Sequence, residues 1–592
     1  MKDFLKYVLA TIVGIICTGF IMGMMSLFMF IVMAISSSDT PSVKNGTVLR
    51  IQLSGTLNER AKENPFAQYL NNDIAQTQGL DDIITAIKTA QTNDNIRGIY
   101  LEGGTLISDM ATAQELRKAL VDFKKSKKFI LAYADNYYSQ GSYYIASAAD
   151  KVLVNPSGIV DWHGLASQPI FFTDLLKKVG VKMQVFKVGT YKSAVEPYIL
   201  TKMSDANREQ VSSFVGDIWK NICADVASSR KISIEGLNAY ADHYITFADA
   251  KDYVKAHLVD GLAYADEVRT LLRTLSQQDK VNFIAPADLA KLAEKKSGDG
   301  TIAVYYAQGN IVDAVADNSF MSNESYIVGP KVVEDLDRLA NDDNIKAVVL
   351  RINSGGGSAY ASEQMWRAIQ LLKKKKPVVV SMSGMAASGG YYMSCGADYI
   401  VAEPTTLTGS IGIFGMIPDA SELLTDKLGL HFDMVKTNKG SDFGAQGRAF
   451  NADEANVMQQ YVNRGYRLFI SRVAAGRHIT PEQVDHIGQG RVWTGSQALK
   501  IKLVDKLGTL DDAIAEAASR ANLKDYDVLS TPNKESWVDQ ILNSTVKRDY
   551  MEEKLRTTLG VYYAPLQFVG TLNGMSAKDY LQARIYYIPN IK

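Results

Sequence analysis

Short apolar runs alternate with amphipathic stretches along most of the chain. In the second half the runs are TIAVYYA (301–307), AVVLRI (347–352), PVVVSM (377–382) and DYIVAE (398–403). They are rich in valine and isoleucine, as strands buried on both faces are. Between them lie stretches such as ASEQMWRAIQLLKK (361–374), which sets Met365, Ile369 and Leu372 on one side of a helix. Strand, turn, helix, strand in that order predicts an α/β fold with largely parallel strands. Glycine-rich turns fall at the strand ends, where α/β proteins place their chemistry.

One apolar run is different in kind. From Tyr7 to Ile35 no residue is charged. A bilayer needs about 20 such residues, whereas the apolar core of a cleaved signal is about 7 to 15. Lys2 and Lys6 precede the run and Asp39 follows it. The excess of lysine before the run puts the N-terminus in the cytoplasm and the rest of the chain outside. Residues 1–46 therefore read as an uncleaved membrane anchor with its span at about 7–35. Cleavage near Ala34-Ile35-Ser36 is the alternative.

The remainder is an internal repeat. IRGIYLEGGTLISDMATAQELRKAL (96–120) matches IKAVVLRINSGGGSAYASEQMWRAI (345–369). YSQGSYYIASAADKVLVNPSG (138–158) matches AASGGYYMSCGADYIVAEPTT (386–406). FADAKDYVKAHLVDGLAYADEV (247–268) matches WTGSQALKIKLVDKLGTLDDAI (493–514). The order is kept and the offsets stay at about 246 to 249, so the chain reads as a duplication. The first repeat spans 47–295 and the second 296–525, with the polar AEKKSGDG (293–300) as the link. The extension 526–592 contains an amphipathic pattern at 536–559 and is expected to be helical, with a packing or assembly role.

Composition narrows the chemistry. With 64 basic and 64 acidic residues the chain gives no electrostatic case for nucleic acid. Cys17, Cys223 and Cys395 are scattered and fit neither a zinc site nor a disulfide framework.

Two turns stand out. Asn353-Ser354-Gly355-Gly356-Gly357-Ser358 follows one predicted strand, and Ala387-Ser388-Gly389-Gly390 follows another. Glycines let a backbone come close to a ligand and aim amides at it. Amides of Gly356 or Gly357 on one side and Gly389 on the other would frame an oxyanion hole. The plainer reading is that both turns need glycine for geometry alone. No Lys-Ser/Thr pair follows the glycines, as a phosphate-binding loop requires.

Ser388 is then a candidate nucleophile without a visible base. None of the six histidines lies in a strand-end turn beside a carboxylate. Lys192, in VFKVGTYKSAVEPYIL (185–200), lies in uncharged surroundings on a loop or helix start. Alone it reads as a surface lysine. The repeat changes its meaning. Anchored on the pairs Tyr143-Tyr144 and Tyr391-Tyr392, Ser388 falls opposite Gln140, with Ser139 one residue out of register. Anchored on VFK (185–187) and MVK (434–436), Lys192 falls opposite Ser441. Each half keeps one group of a two-group site.

GTYKSAVEPY, MAASGGYY, TLTGSIGIFG and NSGGGS, in this order and behind an N-terminal anchor, resemble the long, duplicated form of bacterial signal peptide peptidase A. The resemblance covers nearly the whole chain. It departs at Gly355-Gly356-Gly357, where relatives often carry Pro-Gly-Gly. It implies two tandem crotonase-like spirals of ββα units, related to the caseinolytic protease subunit. It also implies a bowl-shaped homotetramer on the outer face of the bacterial inner membrane. The activity it implies is endopeptidase hydrolysis of cleaved signal peptides through an acyl-enzyme, without metal or cofactor. By motif position Ser388 is the nucleophile, Lys192 the general base and Ser410 the hydroxyl that orients the lysine.

Physical chemistry sets the condition for that assignment. A lysine acts as a base only when neutral, and moving its pKa from about 10.4 to 7 costs about 4.6 kcal/mol. Complete burial supplies shifts of about 3 to 5 units. Two other classes compete. A crotonase-type enzyme on a coenzyme A thioester would share the glycine turns but needs neither the serine–lysine division nor an anchor. A non-catalytic membrane scaffold would explain the anchor but not the turns.

Overall fold

The computed structural model describes Lys6 and residues 13–15, 17–25, 42–61, 77–293, 298–314, 325–534 and 582–584. In the first repeat the elements that position the site are β1 (Thr47–Asn58), β2 (Ile96–Ile107), α1 (Met110–Phe123), β3 (Phe129–Ala134), α2 (Gln140–Ala146), β4 (Lys151–Val154), β5 (Lys182–Lys187) and α3 (Asp205–Arg230). In the second they are β6 (Thr301–Gln308), β7 (Asn310–Val312), β8 (Ile345–Ser354), β9 (Gly356–Ser358), α4 (Ala359–Lys373), β10 (Val378–Ala387), α5 (Gly389–Ser394), β11 (Tyr399–Ala402), β12 (Leu407–Gly409), β13 (Phe414–Asp419) and α6 (Ala452–Arg477). A last strand, β14, is Gln582–Arg584.

The same parallel sheet is built twice. β1, β2, β3 and β4 pair in that order. β6, β8, β10 and β11 repeat it. Each first strand carries one more parallel strand on its outer edge: Phe283–Ile284 on β1 and Asp527–Thr531 on β6. The sheet of the second repeat thus takes in residues 527–531, beyond 525, and the extension's other described strand is Gln582–Arg584. Residues 536–559 lie outside the described residues.

Alternation along β8 explains its apolar run. Val348, Leu350 and Ile352 face one core, with Met365, Ile369 and Leu372 of α4. Ala347 and Val349 face the other, with Ala513 and Ala517. Both faces are covered, so neither tolerates a polar series.

A third, mixed sheet joins the repeats. Its order is Tyr326–Val328, β7, β9, β14, β13, β5. β5 of the first repeat pairs antiparallel with β13 of the second, from Lys187 opposite Phe414 to Lys182 opposite Asp419. A buried charge cluster closes the contact. Arg351 donates to Glu59 at 2.7 and 2.9 Å, to Glu115 at 2.5 Å and to Ser381 at 2.8 Å. Burial pushes the carboxyls of Glu115 and Glu403 up despite that guanidinium.

Most of the expected membrane span, 7–35, lies outside the described residues. Its described part, 13–15 and 17–25, is helical. Among the described residues no helix is long and apolar enough to cross a membrane.

Candidate active site

Ser388 sits between the end of β10 and the start of α5, at φ 54° and ψ −114°. A non-glycine residue at such an angle is strained, and the surrounding structure must hold it. Here its amide donates to Gly409 O at 2.8 Å, and its carbonyl accepts from Tyr392 N at 2.8 Å. The side chain makes no capping bond to the helix. Its hydroxyl is left for Lys192.

Ser139 makes the contrast. It also precedes its helix, α2, but at φ −62° and ψ 155°. Its hydroxyl accepts from Ser142 N at 3.3 Å and Leu106 N at 3.1 Å. By helix position Ser139, not Gln140, is the counterpart of Ser388. An extra residue precedes Tyr143, and it is spent on an ordinary N-cap.

Lys192 is 1% exposed on the loop after β5. Its Nζ lies 2.8 Å from Ser388 Oγ, 3.0 Å from Ser410 Oγ and 3.1 Å from Ser410 O. Burial, unopposed by any carboxylate, brings its pKa down from 10.5 to about 7. Ser410 is itself held at φ 48° and donates its amide to Arg491 O at 2.7 Å. Lys192, Ser388 and Ser410 therefore converge on one point within one chain. Ser441, the sequence counterpart of Lys192, is exposed and lies 3.3 Å from Thr437 Oγ1.

The segment 488–493 templates the lysine loop, and no motif pointed to it. Gln489 O accepts Tyr191 N at 2.9 Å. The Arg491 guanidinium lies over the rings of Tyr191 and Trp493, 4.7 and 4.5 Å from their centroids. Gly490, at φ +81°, passes so close that a Cβ there would stand 2.6 Å from Lys192 N, Cα and Cβ. From the other side Gln210, 2% exposed, donates to Tyr191 O at 3.0 Å and to Ser193 Oγ at 2.9 Å, and accepts from Val492 N at 3.1 Å. The pair of glycines in GQGR was the available sequence signal.

The expected oxyanion donors are placed unequally. Gly389 opens α5, so its amide has no acceptor inside the helix. Gly390 allows β8 to come close: a Cβ there would stand 2.8 Å from Ser354 O. The glycine turn thereby lies beside α5. The Gly356 amide, however, donates to Ser354 Oγ at 3.1 Å, and Gly357 lies in the ladder opposite Ile311 and Ala583. His163 does have a carboxylate neighbour, contrary to the sequence reading. Its Nε2 is 3.3 Å from Asp161 and its Nδ1 is 3.0 Å from Gly164 O, at the surface.

Comparison with known proteins agrees with the duplicated fold. The model of peptidase family S49 matches residues 122–279 and again 370–524, once in each half. The Clp protease model matches 321–405. Protease 4 of Salmonella typhi is 39% identical over 485 residues, covering 80% of this chain and 77% of the relative. Protease 4 of Haemophilus influenzae is 34% identical over 518 residues, covering 82% and 81%. Serine protease SPPA, chloroplastic, of Arabidopsis thaliana is 30% identical over 489 residues, covering 81% and 70%. With two family matches set on a tandem Clp-like α/β fold, the chain belongs to peptidase family S49 in its long, duplicated form, and it is a serine peptidase.

Proposed function

We propose that this peptidase hydrolyses cleaved signal peptides, with Ser388 as nucleophile, Lys192 as general base and Ser410 orienting the amine. The observation that carries the dyad is the 2.8 Å separation between Ser388 Oγ and a buried amine whose pKa is about 7. Near neutral pH half of that amine has a free electron pair. Ser388 Oγ bonds to the substrate carbonyl carbon as its proton passes to Lys192 Nζ. The carbonyl oxygen takes the electron pair and is met by the Gly389 amide, whereas the Gly356 amide is held by Ser354 Oγ and Gly357 lies in the strand ladder. The ammonium then protonates the leaving nitrogen, the C–N bond breaks, and an ester remains on Ser388. Water adds to the ester, gives its proton to Lys192, and the serine leaves with that proton. Ser410 holds Nζ through its hydroxyl and its carbonyl, so the electron pair points at Ser388. No step requires a metal or cofactor.

The uncharged run 7–35 behind Lys2 and Lys6 supports a single-pass anchor in the bacterial inner membrane with the catalytic body outside the cytoplasm. Substrates left in that membrane are then within reach. Duplication supports a closed homo-oligomer, which the resemblance makes a homotetramer. Within the chain β5 pairs with β13. The counterpart of β5 in the second repeat is about 431–436, where Phe432, Met434 and Val435 are 46, 47 and 98% exposed. The counterpart of β13 in the first repeat is about 166–171, where Ile170 is 55% exposed. The same pairing, made between chains, covers both. Such a contact brings Ser441 toward Ser139 and forms no dyad, so each chain carries one.

A fluorophosphonate probe tests the chemistry. Ser388 should be the labelled residue. Lys192→Arg should fold yet neither label nor hydrolyse a signal peptide, because a guanidinium does not deprotonate in this range. Signal-peptide hydrolysis at an undiminished rate by Ser388→Ala would end the assignment.

A further inference from the structure

Where the chain enters its first repeat, one end of the sheet carries a cleft that the dyad does not use. β2 and β3 are parallel neighbours, with Gly98 opposite Phe129. Arg97 at the start of β2 therefore comes beside Lys127 and Lys128, which lead into β3. These three cations and Asp94 line a cleft of about 690 Å³, and Phe129 and Leu275 give it apolar surface. Lys128 is spent on the fold. Its Nζ donates to Ala90 O at 2.7 Å and to Asn93 O at 2.6 Å, at the C-terminal end of the helix Leu80–Thr92. A cation suits the negative end of a helix. Arg97 and Lys127 are exposed, and among the described residues neither side chain has a hydrogen-bond or ion-pair partner.

The duplication supplies an internal comparison. Arg97 in NIRGI (95–99) corresponds to Lys346 in NIKAV (344–348), and Lys127 and Lys128 correspond to Lys375 and Lys376. Lys376 repeats the role of Lys128, donating to Leu339 O at 2.6 Å and to Asp342 O at 2.5 Å. The other two are also spent. Lys346 donates to Asp343 O at 2.8 Å and Lys375 to Asn341 Oδ1 at 2.6 Å. Of the two repeats, the one that follows the expected anchor is the one that leaves this pair of cations unsatisfied. Asn45 also lines the cleft, and residues 36–45 join it to the end of the expected span at about 35. Even fully extended, that stretch reaches at most about 35 Å, so the cleft stays close to the bilayer surface. We propose that the cleft binds the phosphodiester headgroup of an anionic phospholipid. Arg97 and Lys127 meet the phosphate, where a guanidinium can donate two parallel bonds. Phe129 and Leu275 cover the glycerol carbons, for which a free phosphate has no equivalent. A choline headgroup would bring a second cation against the pair and is disfavoured. This rests on the anchored reading of the chain and adds how the body is steadied against the membrane in which its substrates lie.

The experiment uses the full chain in a neutral detergent, so that it reads the cleft and not the topology. Dihexanoylphosphatidylglycerol, dihexanoylphosphatidylcholine and inorganic phosphate are titrated in separately, and binding is followed by calorimetry. Three proteins are compared: the unaltered chain, the double variant Arg97→Gln with Lys127→Gln, and the second-repeat control Lys346→Gln with Lys375→Gln. Far-UV circular dichroism checks that each is folded. The phosphatidylglycerol should bind at least about tenfold more tightly than the other two ligands, and less tightly as salt is raised. The first double variant should lose about thirtyfold in affinity, the loss expected of two surface cations, and the control should stay within about twofold. Equal affinity for the two lipids would overturn the proposal, as would an unchanged affinity in the first variant or an equal loss in the control. Inorganic phosphate that binds as tightly as the phosphatidylglycerol and displaces it would overturn the assignment to a lipid. The anchor is tested apart from this. Protection of residues 47–592 from protease added to spheroplasts would overturn the topology, while the titration still decides the cleft.

Discussion

Lys192→Met gives the sharpest test of the base, because it separates titration from packing. In the unfolded chain Lys192 binds its proton up to its ordinary pKa of 10.5, and in the fold only up to about 7. Between those two values the unfolded state holds more protons than the folded one, so stability rises with pH. Below pH 7 the amine is protonated in both states and burying that charge costs a constant amount, about 5 kcal/mol at 1.36 kcal/mol per unit. Above 10.5 the cost has gone. Methionine has similar length and no titration. Its substitution also removes the contacts of Nζ with Ser388 and Ser410, but that loss varies little with pH. Comparing the two proteins at two pH values therefore isolates the proton. From pH 7 to pH 9 the wild type should gain about 2 kcal/mol on Lys192→Met. The assay is urea unfolding followed by tryptophan fluorescence, in one detergent, at pH 7, 8 and 9. The variant should be inactive throughout. In the wild type kcat/KM should rise with pH to a plateau, with its midpoint near 7. Stability differences that stay constant from pH 7 to 9 would mean that Lys192 has an ordinary pKa, and the base assignment would fail.

Gly490→Ala should lower kcat about 100-fold while Ser388 remains in place, because the new Cβ would stand 2.6 Å from the Lys192 backbone and the lysine must move; nucleophile labelling and turnover measured together check it. Arg351→Ala should destabilise the contact between repeats by about 3–5 kcal/mol, since Glu59 and Glu115 stay buried without their cation, and denaturant unfolding reads this directly. Co-expressed Lys192→Ala and Ser388→Ala chains, purified as mixed oligomers with two tags, should remain inactive. Recovery of a sizeable part of wild-type turnover would mean that the dyad forms between chains.

Much of the fold was legible because local pattern and burial coincide. The run AVVLRI became β8 because a strand covered on both faces admits almost only apolar side chains. ASEQMWRAIQLLKK became α4 because Met365, Ile369 and Leu372 share one helical face. The duplication drew attention to Ser388 and Lys192 and the resemblance alone added Ser410, and the fold brings the three side chains together. Register was not legible. Ser139 and Gln140 differ by one position in an alignment, but only the backbone angles distinguish a capping serine from one held with a free hydroxyl. The role of GQGR (488–491) is not legible in sequence, because Gly490 serves the Lys192 loop roughly 300 residues away and no local pattern encodes such an approach.

The chain's order of residues determined the two α/β repeats, the glycine turns at their strand ends, and the division of serine and lysine between the halves. These follow from periodicity and from comparing the chain with itself. The tertiary structure decided what those residues are. Lys192 is an ordinary lysine until β5 crosses to β13 and carries its loop under Gly490, out of water; only then does its pKa approach 7. Residues 526–592 read as a helical extension, yet Gln582–Arg584 lie as a strand between β9 and β13. In both cases the deciding quantity, desolvation for the amine and an open pair of strand edges for the tail, belongs to surfaces brought together from distant parts of the chain.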